Sequence, residues 1–407
     1  MVRGYPYFSS RSLILIPRAR LDAVTEADIQ ALIDHGVRES RTLDYKRDWP
    51  ADRDARTELA KDVCAFANSL GGDLLFGMRE EEGAAAEIVP LRFANLDADL
   101  LALTSALRDL LEPRVSGGLH AHPVALAAGG HVIVLRVAPS PAAPHRVTRD
   151  NHFYARTSVG KEPMDIHGIR NAFAFSDSVA DRVLEFRSHR ITRLSNREGP
   201  RPLQDAPVIA CHVVPVSAIT RRDAHSVEAL LQSATVFQGA EPLGVAVGRP
   251  AVNYEGVVVS SGRDGQDRYF GYVQLFRNGC IEIAAVCEWD QRGNPPRPTF
   301  FPFRPEHALV RRGFRRITEA LTTLEVNAPV YVFVSWLNVH GMRVCVRREA
   351  GHDGFPALPE HLHDIIGPPV YLEDFEGNPA DVLAPALDVL WNAVGIAHTQ
   401  TDFAAAD

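Results

Sequence analysis

The stretch "ELAKDVCAFANSLGGDLLFGM", Glu58 to Met78, decides how the first half of this chain is read. Within the longer run "ARTELAKDVCAFANSLGG", Leu59, Val63, Phe66 and Leu70 recur at helical spacing, which predicts an amphipathic helix. The pair Gly71-Gly72 closes it, and the short apolar run "DLLFGM" that follows has the length of a buried strand. Helix, glycine pair and buried strand follow one another here, and a further strand stands upstream.

It is found in "ESRTLDYKRDW", Glu39 to Trp49. Apolar and polar residues alternate through "TLDYKRD", which predicts a strand. Its period of two puts Thr42, Asp44 and Lys46 on one face and Leu43 and Tyr45 on the other. Glu39 stands at its entry. Further out, "TEADIQALIDHG" reads as a helix with Thr25 as N-cap, Asp28 three residues on, and Gly36 as its stop. Beyond "DLLFGM" come an acidic turn "REEEG", a helix over "LDADLLALTSALRDLLEP", strands over "HVIVLRVAP" and near "HFYART", and a closing helix "DIHGIRNAFAF".

The expected organisation is an irregular arm over 1–24, a first α/β domain over 25–176, and a basic helix with linker over 177–205. A second mixed α/β domain over 206–396 and a frayed tail over 397–407 complete it. In the basic segment Arg187, Arg190, Arg193 and Arg197 follow spacings that align them on one helix face, either as a phosphate track or as a domain-docking surface. The second domain has longer strands, and Asn278-Gly279 marks a hairpin between two of them. The sequence has no internal repeat and no low-complexity tract.

The 407 residues are 46% hydrophobic and 23% charged, an ordinary globular composition. A net charge of −8 argues against a protein that coats nucleic acid through its bulk field, so any such contact must come from a local patch. Five cysteines without a C-x-x-C pair exclude a disulfide framework and zinc-ribbon spacing, and suit a reducing, cytoplasmic setting. No segment reaches membrane-spanning length, and no G-x-x-x-x-G-K-[ST] is present for classical nucleotide hydrolysis. Only three of the 43 basic residues are lysine: Lys46, Lys61 and Lys161. Where arginine is the default, a retained lysine suggests that a compact ammonium is wanted.

The acids suggest one chemistry. Carboxylates of Glu39 and Asp44, joined by one of Glu80 to Glu82, would repel each other unless a divalent cation sat between them. Such a cation can activate water for attack on a phosphodiester, with Lys46 nearby to offset negative charge.

"ESRTLDYK", "ELAKDVCAFANSLGGDLLFGM" and "FYARTSVGKEP" together resemble the Schlafen-type AlbA_2 domain, over about residues 26–175. That family carries an E-S-x-x-[VL]-[ED]-[FY]-K strand followed by A-F-A-N-x-x-G-G and a glycine-ended strand. Asp44 stands here where the family more usually has Glu, and Tyr45 replaces the common Phe. The resemblance implies a metal-dependent endoribonuclease acting on structured RNA such as tRNA, using Mn²⁺ or Mg²⁺, in an anti-phage or stress role. Carried over residue by residue, it implies Glu39, Asp44 and Glu81 (or Glu80) as metal-holding catalytic acids, with Lys46 beside them. Lys61, Arg156 and Lys161, with Arg187, Arg190 and Arg193, are candidate nucleic-acid contacts. Many prokaryotic members are described instead as DNA-binding or ATP-binding domains, so the alternative is a nucleic-acid-binding regulator that does not cut. RNA is the expected partner, DNA an alternative, a membrane is not expected, and homo-oligomers are compatible with the reading.

Overall fold

The computed structural model describes residues 21–404, except 116–118, 141, 158–159, 221–223, 327, 348–352, 374 and 376. The arm expected over 1–24 therefore lies outside the described residues as far as residue 20. Its last part is not irregular: Leu21–Ala23 makes a 3-10 turn and Val24 enters the core. The chain divides into two compact units, Met1–Ser176 and Asp177–Asp407.

In the first unit the order is α1 (Glu26–Asp34), β1 (Leu43–Lys46), α2 (Arg53–Ala67), β2 (Gly72–Phe76), β3 (Met78–Glu81) and β4 (Ala84–Ile88). Then follow α3 (Leu96–Leu110), β5 (Leu111–Glu112), β6 (Leu119–Ala125), β7 (His131–Val137), β8 (Arg146–Val147), β9 (Tyr154–Arg156) and β10 (Lys161–Pro163). The central sheet runs β1-β2-β7-β6, with β1 parallel to β2 and the other pairs antiparallel. A parallel pair needs a crossover, and α2 supplies it. Alternation then sorts the side chains. Leu43, Tyr45, Leu75, Val132 and Val134 pack with Ile29 and Leu32 of α1 on one face. Leu74, Phe76, Ile133 and Leu135 pack with Leu59, Val63 and Phe66 of α2 and Leu103 and Leu107 of α3 on the other. Asp44 and Lys46 thus point from an edge strand toward α2.

Gly71 and Gly72 make the α2–β2 turn possible. Gly71 has φ +71°, and a Cβ there would lie 2.6 Å from the Val137 carbonyl oxygen, while one on Gly72 would lie 2.6 Å from that of Thr42. Leu70, placed on the apolar stripe by spacing, is instead 52% exposed, because α2 ends at Ala67 and the stripe ends with it. The run "REEEG" is not simply a turn: Arg79–Glu81 belongs to β3, which pairs antiparallel with β4, and the chain reverses at Glu82 and Gly83, both with positive φ.

The helix expected over "DIHGIRNAFAF" and the basic helix after it are one element, α4 (Ile166–Ser195), whose part from Asp177 onward belongs to the second unit. The remaining elements of that unit are β11 (Val208–Pro215), α5 (Val216–Thr220), α6 (Val227–Ala234), β12 (Pro250–Asn253), β13 (Gly256–Ser260), β14 (Gly271–Phe276) and β15 (Ile281–Val286). After these come β16 (Trp289–Arg292), β17 (Arg297–Phe300), α7 (Phe303–Ala308), α8 (Phe314–Thr323), β18 (Val330–Leu337), β19 (Arg343–Val344), β20 (Val346–Arg347), β21 (Asp353–Gly354), β22 (Ile365–Ile366), β23 (Val370–Leu372) and α9 (Pro379–Asn392). The main sheet is β12-β13-β14-β15-β11-β18, with β22 and β23 both paired to β18, and all its pairings are antiparallel. One face carries the large core with α6, α8 and α9. The other is covered by Val179, Val183, Ile191 and Leu194 of α4. The segment read as a basic helix and linker therefore covers the second face of this unit's main sheet.

The tail is also anchored rather than frayed as far as it is described. Thr399 Oγ1 and Thr401 Oγ1 donate to Glu306 Oε2, and Thr401 is buried. Residues 405–407 lie outside the described residues.

Candidate nucleic-acid interface

All three lysines of the chain meet on one side of α2. Asp62, buried on the helix, is the centre. Its Oδ2 accepts from Lys161 Nζ at 2.9 Å and lies 3.6 Å from Lys46 Nζ, while its Oδ1 is 3.5 Å from Arg156 Nη1. One turn earlier Glu58 accepts from Lys61, its Oε2 is 3.5 Å from Lys161 Nζ, and its backbone carbonyl accepts from Lys161 Nζ at 3.0 Å. Lys61 also lies 3.8 Å from Asp150 Oδ2, whose carboxylate accepts from Tyr154 Oη at 2.7 Å.

Asp44 joins from β1. Lys46 Nζ donates to its Oδ1 at 2.9 Å and Arg156 Nη1 lies 2.8 Å from its Oδ2. Burial pushes the Asp44 carboxyl up, but the charges of Lys46 and Arg156 outweigh this and hold it below the usual range. Burial also pushes the Lys46 ammonium down, and the charges of Asp62 and Asp44 more than restore it, so it stays protonated.

Asn68 explains how β9 reaches α2 across about ninety residues of chain. At the end of the helix its Nδ2 donates to the carbonyls of His145 (2.8 Å) and Tyr154 (2.9 Å), and its Oδ1 accepts from His145 N. That tether, with Arg156 N donating to Ser69 Oγ, seats the Arg156 guanidinium 4.7 Å from the Phe66 ring centroid, against both aspartates. Arg156 is 4% exposed, so it organises the cluster from beneath and is not a surface phosphate contact. Lys46, Lys61 and Lys161 keep side-chain exposures of 36%, 21% and 24%.

The acids sort differently from the expectation. Glu39 Oε1 accepts from Tyr45 N at 2.9 Å. Burial pushes its carboxyl up to about 7, against the Tyr45 hydrogen bond, and a hydrogen bond to Asp44 and the charges of Asp44 and Glu80 add to the rise. Of the hairpin acids, Glu80 is the one whose charge adds to the rise at Glu39. Successive residues of a strand face opposite ways, and Glu81 sits exposed at the hairpin end.

The acids of this arrangement are already partnered. Both oxygens of Asp44 are occupied by Lys46 and Arg156, and Glu39 gives one oxygen to the backbone. Two cations already stand where a metal would offset the charge. Among the described residues no group of three or more His, Cys, Asp or Glu side chains is set to hold a metal ion.

The arginine face resolves as docking, not as a phosphate track. Arg190 is 2% exposed and its guanidinium pairs with both oxygens of Glu282 at 2.8 and 2.9 Å. Arg193 pairs with Glu255 at 2.8 Å, and Arg187 donates to the Gly367 carbonyl at 3.1 Å. These bonds hold the second part of α4 on the sheet of its own unit.

Three acids of the cluster, Glu58, Asp62 and Asp150, carried no role in the sequence. Asp62 falls with Leu59, Val63 and Phe66 on the buried side of α2, and an acid on an apolar stripe is the signal that points to a buried cation partner. Glu58 carried no signal of its own.

Residues 39–165 match the family model described as Schlafen, AlbA_2. The N-terminal part of the chain thus carries a Schlafen AlbA_2 domain over these residues. No curated protein matches the sequence. Among solved structures the chain is similar to the DIP2311 protein from Corynebacterium diphtheriae, at 19% identity and a TM-score of 0.25, covering 34% of this chain and 29% of that one. It is also similar to the N-terminal domain of a RecG-related protein from Nitrosomonas europaea, at 18% identity and a TM-score of 0.23, covering 28% and 74%. The chain thus spans under a third of the first of these. No helix among the described residues is long and apolar enough to cross a membrane.

Proposed function

We infer that this protein binds nucleic acid through its N-terminal unit, with Lys46, Lys61 and Lys161 gripping the phosphodiester backbone of a structured RNA such as tRNA. The observation that carries this reading is the meeting of the chain's three lysines, from β1, α2 and β10, in a chain whose other basic residues are arginine. An ammonium is a compact point charge that can serve a buried carboxylate and still offer a donor to a phosphate oxygen. Arg41, exposed and donating to the Arg156 carbonyl at 3.4 Å, extends the positive rim. The test is binding of labelled tRNA, and of duplex DNA as comparison, across a salt series. Each phosphate contact contributes about −0.7 to −0.9 to the slope of log K against log salt. Lys61→Gln should weaken binding and lower that slope by one contact. A chain that binds neither ligand at low salt overturns the reading.

A second reading, a metal-dependent endoribonuclease, has one observation in its favour: Glu39 and Asp44 share a hydrogen bond with the charge of Glu80 close by. Incubation with total tRNA, with and without Mn²⁺ or Mg²⁺, separates the two. Metal-dependent cleavage lost in both Glu39→Gln and Asp44→Asn would establish the nuclease and replace the non-catalytic reading.

A further inference from the structure

Within the lysine cluster the carboxylates are not equivalent. Asp44 and Asp62 have side-chain exposures of 5% and 4%, and each is clamped by two or more cations. Glu58 is 59% exposed, yet it engages two lysines at once, accepting from Lys61 with its Oε1 and facing Lys161 Nζ at 3.5 Å with its Oε2. Hydrogen bonding to Lys61 holds its carboxyl below the usual range, so it is charged at neutral pH.

Within the ion-paired cluster four cations, Lys46, Lys61, Arg156 and Lys161, face four carboxylates, Asp44, Glu58, Asp62 and Asp150. While all four carboxylates stay in place they offset these four cations and reduce the cluster's attraction for an incoming polyanion. Only one of them can leave cheaply. Moving Asp62 or Asp44 would strip cations inside the protein, and Asp150 is held by Tyr154 Oη and the His152 amide, whereas Glu58 can swing into water at the small cost of breaking an exposed ion pair.

We propose that Glu58 is a built-in anion on the lysine cluster, occupying the place of a nucleic-acid phosphate and displaced by it on binding. This rests on the proposed nucleic-acid reading and adds its regulation. An internucleotide phosphate, like a carboxylate, has two charged acceptor oxygens and can satisfy Lys61 and Lys161 together. Glu58 then sets a threshold: a ligand must place a phosphate within reach of both ammoniums and displace the resident carboxylate. The same phosphate chemistry is offered by RNA and DNA, so both are tested.

The experiment compares the full chain with Glu58→Gln and with Asp97→Asn, which removes the same charge from an exposed position on α3. Affinity for tRNA and for duplex DNA is measured across a salt series. Glu58→Gln should tighten binding roughly two- to fivefold, the scale of one exposed ion pair. The salt slope should not change, because the same lysines meet the same phosphates. Asp97→Asn should leave affinity where it was. A preference of the gain for one ligand identifies which backbone fits the lysine spacing. Weaker or unchanged binding in Glu58→Gln would show that Glu58 only positions the lysines, and overturns the proposal. So does an equal gain in Asp97→Asn, which would be bulk charge alone. If neither the natural chain nor Glu58→Gln binds, the nucleic-acid reading itself falls, and the displaced-anion proposal with it.

Discussion

Lys161 and Asp62 stand 99 residues apart in the chain and meet at 2.9 Å, closing the first unit around the side of α2 that faces β1. Asp62 is 4% exposed and also serves Lys46 and Arg156, so it neutralises cations from three separate segments. Asp62→Asn keeps the shape and removes the charge. Breaking a buried pair on one side commonly costs about 3–5 kcal/mol. Since Lys46 and Lys161 keep some contact with water, a loss near the lower end is expected, about 3 kcal/mol. The midpoint of urea unfolding should fall accordingly. An unchanged midpoint would mean that Lys161 and Lys46 find other partners and that the cluster does not hold the unit together.

Lys46→Arg tests whether the lysine is required as a lysine. Lys46 and Arg156 already clamp Asp44 between them, at 2.9 and 2.8 Å. A second guanidinium keeps the charge but is larger and planar, and it must fit beside the first. Overpacking of this kind costs about 1–3 kcal/mol. Lys46→Met, which leaves two carboxylates short of a cation, should cost more. Measured stability should rank the natural chain above Lys46→Arg and that above Lys46→Met. Equal stability of the first two would make the choice of lysine indifferent to the fold.

Glu306 gives the second unit a pH dependence of defined sign. Burial pushes its carboxyl up to about 7, against the hydrogen bonds from Thr399, Thr401 and Trp391. An acid whose folded value lies above its ordinary 4.5 holds its proton in the folded state while the unfolded chain has lost it. Stability contributed here is therefore complete below about 4.5 and declines as pH rises through about 7. Glu306→Gln carries a neutral group at every pH and should flatten that decline in a series of Tm measurements. The same decline in Glu306→Gln would assign the effect to another group.

Local order was legible where the chain's own period decided it. The alternation Leu43-Asp44-Tyr45-Lys46 placed two side chains in the core with α1 and two toward α2, and the structure has them so. The turn at Asn278-Gly279 was legible for the same reason, since Gly279 supplies the positive φ that the β14–β15 hairpin requires. Charge partners were not legible. Asp62 looks like one polar residue of an amphipathic helix until Arg156 and Lys161 arrive from β9 and β10, an encounter fixed by Asn68 and not by any local pattern. The charge run Arg79–Glu81 read as a turn because charges favour exposure, and exposed it is, but an edge hairpin can be exposed too. The choice between Glu80 and Glu81 turned on strand parity at β3, which depends on where the bulge between Arg79 and Glu80 falls. The arginine spacing on α4 showed a face but not its partner. That partner, Glu282, is a single acid inside the apolar strand "IEIAAV", and such an acid is the complementary signal.

The last prediction separates the two arginine readings that the sequence left open. Arg190 and Glu282 are 2% and 0% exposed, and Glu282 also accepts from Tyr272 Oη at 2.9 Å and lies 3.0 Å from His212 Nε2. Burial pushes the Glu282 carboxyl up, but its hydrogen bonds with Arg190 and His212 and their charges overcome this and hold it at about 2. A depressed acid stabilises the fold fully above its ordinary 4.5 and loses that contribution as pH falls through about 2. Arg190→Met leaves Glu282 buried without its bidentate partner and should cost about 3–5 kcal/mol at neutral pH. In that variant part of the acid-side decline should disappear, because Glu282 no longer gains a proton-dependent partner on folding. RNA affinity and its salt slope, measured below the variant's unfolding temperature, should match those of the natural chain, since Arg190 faces the sheet and not solvent. A variant with intact stability and weakened RNA binding would return the arginine face of α4 to the phosphate track.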